Sequence, residues 1–157
     1  MAEDRVSVSK RVAAPAPRVW ALVSDPAGHA RIDGSGMLQA PIDPQPITAA
    51  GQTFDMAMDR RPLGDIPNMA EYTVRNTVTR LEPGRLIEWT VGAVDRDPVG
   101  HRYGWEVVPA GEQECDVTNY CDWTDVIEAL RTRTWPIVPV EMLQQSLDNL
   151  EKLATEG

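Results

Sequence analysis

The chain holds two histidines, His29 and His101, the side chains whose ordinary pKa suits proton transfer near neutrality. His101 opens HRYGWEVVP (101–109), with Tyr103 two positions on, and Asn76 lies inside AEYTVRNTVTRLE (70–82). Removing a proton beside a carbonyl takes a base, and a hydrogen-bond donor must steady the enolate that results. His101 fits the base, and Tyr103 and Asn76 fit the donors, which makes these three the candidate catalytic residues.

His29 belongs to SDPAGHARIDGSG (24–36), which also carries Ser24, Asp25, Arg31, Asp33 and Ser35. Serine, histidine and aspartate all occur here, but a nucleophilic serine needs a strained turn, oxyanion donors and partners drawn from other elements. Ser24 and Asp25 stand instead where helix caps belong. Asp33-Gly34-Ser35-Gly36 lacks the spacing of a glycine-rich phosphate loop, and no long helix follows it. The stretch reads as a polar hinge near the mouth of an internal cavity, with His29 facing the entrance.

No His-x-His, His-x-x-x-His or Cys-x-x-Cys spacing links the histidines to each other or to Cys115 and Cys121, so neither a metal nor another cofactor is expected. The cysteines lie six positions apart in one expected strand. That is roughly 20 Å, beyond the roughly 7 Å a disulfide spans. Reduced thiols agree with a cytoplasmic address.

The elements that must position these residues are legible from periodicity. RVSVSKRV (5–12) alternates as a half-buried strand. PAPRVWALVS (15–24) follows as a helix, with proline in its first turn and Val19, Trp20 and Val23 at helical spacing, and AGHAR (27–31) as a second short one. MLQAPI (37–42) has room for an edge strand, guarded by Pro41, Pro44 and Pro46. Strands are expected at 53–59, 70–82, 85–92, 101–109 and 114–124, with tight turns between the last four. Seven strands joined mostly by short connections make an antiparallel meander. Only PVEMLQQSLDNLEKLAT (139–155) forms a long amphipathic helix, with Val140, Leu143, Leu147, Leu150 and Ala154 on one stripe.

Alternation assigns Tyr72, Val74, Asn76 and Val78 to one face of a strand, and Ile87, Trp89 and Val91 to the next. His101, Tyr103, Trp105 and Val107 share a face of the third, and Val117, Asn119, Cys121 and Trp123 a face of the fourth. An apolar wall with a few directed polar groups is what a small-molecule pocket needs. The competing reading is plain core, with Asn76, His101 and Asn119 satisfied by backbone or water.

"RVAAPAPRVWALVSDPAGHARID", "VTRLEPGRLIEWT", "DVTNYCDWTD" and "EMLQQSLDNLEKL" together touch most of the chain. In them the sequence resembles the START-like (SRPBCC) superfamily, in its polyketide cyclase/dehydrase-like branch. The resemblance implies an α+β helix-grip fold over residues 1–157 as one domain. A seven-stranded curved antiparallel sheet would wrap a long C-terminal helix, with two short helices after the first strand. It also implies a cavity between sheet and helix for an apolar or aromatic small molecule. The expected wall is Tyr72, Asn76, Trp89, Tyr103, Trp105, Asn119, Trp123, Leu143, Leu147 and His29. Where many relatives place an aromatic after the second short helix, this chain has Ile32, Asp33 and Gly34.

At 157 residues the chain can bury a substantial core without staples. A net charge of −9 repels phosphate backbones and anionic lipid surfaces, so neither nucleic acid nor membrane is an expected partner. The adjacent pairs Lys10-Arg11 and Arg60-Arg61 read as solvated surface. The N-terminus carries acidic residues where a secretion signal would be basic. A cytoplasmic monomer or homodimer is the expectation. Three functions fit: a binder of a small hydrophobic or aromatic ligand, with or without cyclase-like activity; an enzyme of aldol cyclisation or dehydration using His101; or a non-catalytic interaction module, anchored by an exposed Trp135.

Overall fold

The structure, a computed structural model, describes residues 4–156. Seven strands form one antiparallel sheet: β1 (Arg5–Val12), β2 (Leu38–Ile42), β3 (Thr53–Asp59), β4 (Glu71–Glu82), β5 (Leu86–Ala93), β6 (Arg102–Pro109) and β7 (Cys115–Asp122). Helices α1 (Ala16–Val23) and α2 (Pro26–Ile32) separate β1 from β2, and α3 (Val140–Thr155) ends the chain. The sheet order is β1-β7-β6-β5-β4-β3-β2. The meander therefore runs from β2 to β7, while β1 departs from it and closes the far edge against β7. This is the helix-grip arrangement, and none of its described helices is long and apolar enough to cross a membrane.

Helix α3 lays its stripe into the concave side of the sheet. Leu143, Leu147, Leu150 and Ala154 are buried, while Val140, expected on that stripe, is exposed in the first turn. Burying side chains like Leu147 and Leu150 contributes about 1.5–3 kcal/mol each. Lys10 of β1 pins one flank of the helix through Asp148 (3.1 Å) and Glu151 (2.8 Å). On the other flank Ser146 Oγ accepts the Gly34 amide at 2.7 Å. A Cβ at Gly34 would press on the Ser146 amide and the Met142 carbonyl, so only glycine permits so close an approach.

The stretch 24–36 is the polar hinge its composition predicts. Asp25 caps α2 by accepting the Ala27 amide at 2.9 Å. The Asp33 carboxylate accepts the Ser35 amide and hydroxyl and the Leu38 amide, which fixes the path from α2 into β2. Packing is uneven along the groove. Val12, Val19, Val23, Ile87, Val107 and Val117 pack tightly with α3 at the β1 side. Toward β2 a second cluster of Met37, Met56, Met58 and Val74 leaves room between sheet and helix.

Candidate functional site

That room is a cavity of about 320 Å³. The size falls at the lower end of the range, about 300–1,000 Å³, that small-molecule sites occupy. Strand pleating decides which side chains reach it. β4 contributes Tyr72, Val74 and Asn76, and β5 contributes Trp89 and Val91. Tyr103 and Trp105 enter from β6, His101 from just before it, and Asn119 from β7. His29 and Ile32 of α2 and Leu143 and Ser146 of α3 form the opposite wall.

Nine of the residues expected to meet a ligand or do chemistry thus surround one space: His29, Tyr72, Asn76, Trp89, His101, Tyr103, Trp105, Asn119 and Leu143. Leu147 and Trp123 do not. Leu147 is fully buried in the tightly packed end, one turn past Leu143 and beyond the open space. Trp123 follows the last residue of β7, where alternation no longer applies; its amide donates to the Asp4 carbonyl at 2.8 Å and it is absent from the wall. Sequence reasoning carried the strand two residues too far.

Aromatic rings form a continuous arc along the wall. His29 stacks on Trp89 with centroids 4.7 Å apart, and Phe54 meets His29 edge-on at 5.4 Å. Trp89 approaches Tyr103 at 6.3 Å, Tyr103 meets His101 at 5.6 Å, and His101 leans on Trp135 at 5.0 Å. Such an arc offers a ligand large, rigid apolar area at little entropic cost.

The polar members divide into two groups. His29 donates from Nε2 to the Val23 carbonyl at 2.6 Å, so it belongs to the deep wall, not to the entrance. Asn119 donates to the Gly104 carbonyl at 3.0 Å. Ser146 and Asp33 serve the α2–β2 link, as described above. Asn76 and His101 differ: both are buried, at 5% and 7% exposure, and their side chains make no hydrogen bond among the described residues. Asn76 pairs with Val91, and Thr90 with Arg102, so Asn76 and His101 flank Val91 in one row of the sheet, about two strand spacings, roughly 10 Å, apart.

Burial shapes the titration of these groups. It is the main cause that pushes His101 down from 6.5 to about 4, with the Arg60 charge adding to it, and the imidazole is neutral at physiological pH. Burial also lowers His29. It raises Tyr103 well above 10.0, so the phenol keeps its proton as a donor.

The loops at the rim supply what strand periodicity cannot show. Arg60 and Ile66 come from the β3–β4 connection, and Leu130, Arg133, Trp135, Ile137 and Val138 from the β7–α3 connection, which carries a 3-10 turn at Glu128–Leu130. Arg60 was expected at the surface with Arg61, but its side chain is only 12% exposed and grips Asp65 through Nε (2.7 Å) and Nη2 (2.6 Å). Trp135 is not the exposed anchor that an interaction module would use. It is half-buried against His101, and its indole donates to the Leu130 carbonyl at 3.0 Å. Cys115 and Cys121 are buried free thiols on one face of β7, as their spacing implies. No group of three or more potential metal ligands occurs among the described residues.

Residues 3–155 match the family described as polyketide cyclase/dehydrase and lipid transport. An uncharacterized protein of Mycobacterium tuberculosis, Rv0088, is 37% identical over 102 residues, 65% of this chain but only 40% of that protein. Among solved structures, protein CV1439 from Chromobacterium violaceum superposes with TM-score 0.70 at 17% identity, covering 98% of this chain and 99% of that one. A START superfamily protein from Mycobacterium smegmatis gives 0.65 at 14% identity, covering 96% of each chain. A norcoclaurine synthase point mutant from Thalictrum flavum, in complex with a transition state analogue, gives 0.63 at 16% identity over 96% of this chain and 92% of that one. At such identities these structures speak for the fold alone.

Proposed function

The chain belongs to the polyketide cyclase/dehydrase and lipid transport family, and from that premise we propose that it binds a small, mostly apolar, ring-bearing molecule in the cavity under α3. The aromatic arc from His29 to Trp135 supplies the contact area, and Asn76 and His101 orient the guest. One observation carries this reading: in a wall whose other buried polar side chains are engaged by the protein, these two have no partner among the described residues. Folded proteins rarely leave such groups unpaired, because each costs about 1–3 kcal/mol, and a ligand that pairs with them recovers that cost.

The test is thermal denaturation and native mass measurement against a panel of aromatic and acyl compounds. A ligand at a hundredfold excess over its Kd stabilises the protein by about 2.7 kcal/mol, which is readily seen as a rise in Tm. A panel without a single binder overturns the reading.

A second reading is supported by His101, Tyr103 and Asn76 lying on one wall: catalysis of aldol cyclisation or dehydration. Neutral His101 is in the protonation state of a general base, and the protonated Tyr103 phenol is in that of a donor to an enolate. A base with a pKa of about 4 is a weak one, so binding ranks ahead of catalysis. His101→Ala should abolish turnover of a bound substrate and leave the fold intact; unchanged turnover removes His101 from the mechanism.

A further inference from the structure

The cavity wall carries charged side chains, and one of them lacks an ion pair among the described residues. In a chain of net charge −9 it contains two guanidiniums, Arg60 and Arg133, against one carboxylate, Asp33. Both Asp33 oxygens are turned into their own loop, toward the Ser35 amide and hydroxyl and the Leu38 amide. Arg60 holds Asp65 through Nε and Nη2, which leaves Nη1 without a carboxylate. Arg133 is exposed at the rim and makes no ion pair among the described residues. The Arg60 hydrogen bonds are the chief cause that holds the Asp65 carboxyl below its ordinary range, and the Arg133 charge adds to it. Asp65 thus neutralises Arg60, and Arg133 is the guanidinium at this rim that no carboxylate among the described residues holds in an ion pair. His101 adds no positive charge, because burial and Arg60 together keep it neutral.

Resting on the cavity reading above, we propose that the ligand is a carboxylic acid with an apolar or aromatic body. Its carboxylate sits at the rim against Arg133, on the Arg60 side of the cavity, and its body runs inward along Tyr103 and Trp89. A guanidinium presents a planar fork of donors that matches a carboxylate, and a half-buried one is less hydrated and less screened than a surface lysine. The aromatic arc begins with Trp135 and His101, beside the same rim, so head and body of one molecule meet matching surfaces in sequence. The chain's overall negative charge would otherwise repel an acid, which makes Arg133, without an ion pair among the described residues, the feature that admits one.

The experiment measures the affinity of the full chain for two matched pairs, 2-naphthoate with 2-naphthamide and decanoate with decanamide, by calorimetric titration. At least one acid should bind about tenfold or more tighter than its amide. Arg133→Gln, at an exposed position that leaves the fold undisturbed, should bring acid and amide to equal affinity, and Arg133→Lys should restore part of the preference. Amides that bind as well as their acids overturn this proposal and leave the cavity reading standing, as does an acid preference that survives Arg133→Gln. If none of the four compounds binds, the cavity reading falls, and the acid proposal falls with it.

Discussion

The two faces of the sheet each bury a polar pair, and they treat it in opposite ways. On the convex face Glu88, Gly104 and Tyr120 lie in one row across β5, β6 and β7. Tyr120 reaches across Gly104, where a Cβ would run into its ring, and donates to Glu88 Oε1 at 2.7 Å. Thr79 donates to Glu88 Oε2 at 2.7 Å, and Arg5 covers the Tyr120 ring at 3.8 Å from its centroid. The Glu88 carboxylate, 4% exposed, therefore has a partner for each oxygen. On the concave face Asn76 and His101 are buried to a similar degree and have none among the described residues. Burial alone does not separate these two pairs; the presence or absence of a partner does. A satisfied pair rigidifies its strands, whereas an unsatisfied one holds hydrogen-bonding capacity ready for something the protein itself does not supply.

The largest effect that would test this contrast is acid lability. His101 is held at about 4 in the folded chain against 6.5 for an unburied imidazole, so protonation favours the unfolded state. Its contribution to stability is fully present above pH 6.5 and is lost as pH falls toward 4, on the order of 3 kcal/mol in all. Burial gives His29 the same sign. Denaturant unfolding at pH 7 and pH 4.5 should show a clearly smaller loss for His101→Gln than for the unsubstituted chain. Equal losses would mean that the imidazole is not held neutral inside the fold.

A smaller effect separates the faces directly. Tyr120→Phe strips one partner from a buried carboxylate and should cost about 1–3 kcal/mol, with ligand affinity unchanged. Smallest in stability is Asn76→Leu, which removes an unpaired polar group with little change of shape. Its stability should stay level or rise by up to about 1 kcal/mol, while affinity for a cavity ligand falls about tenfold. If Asn76→Leu destabilised the chain as much as Tyr120→Phe, the two faces would be alike and the contrast would break.

Much of the scaffold was legible from alternation and caps. β1 and β3 have the bounds their periodicity predicts, and Asp25 caps α2 as its position implies. Strand alternation also put Tyr72, Asn76, Trp89, Tyr103 and Trp105 on the side that holds the cavity, because side chains on a pleated strand have only two directions. It failed where that rule stops applying. Trp123 lies just past a strand end, and Arg60, Arg133 and Trp135 lie in loops whose path no period encodes. Glu88 and Thr90 alternate with Ile87, Trp89 and Val91 on the opposite face and are buried too, and nothing in their own strand announces that Tyr120 will lie across Gly104 or that Thr90 will donate to the His101 carbonyl.

What the sequence determined by itself is the order and type of the elements, the face each strand residue occupies and the stripe that docks α3, because these follow from local backbone geometry and apolar spacing. Only the tertiary structure decided which buried polar groups find partners, that β1 closes against β7, and how two loops bring two arginines and a tryptophan to one rim. Those outcomes depend on contacts between residues distant in the chain, where a shift of a few ångströms turns a satisfied side chain into one that waits for a ligand.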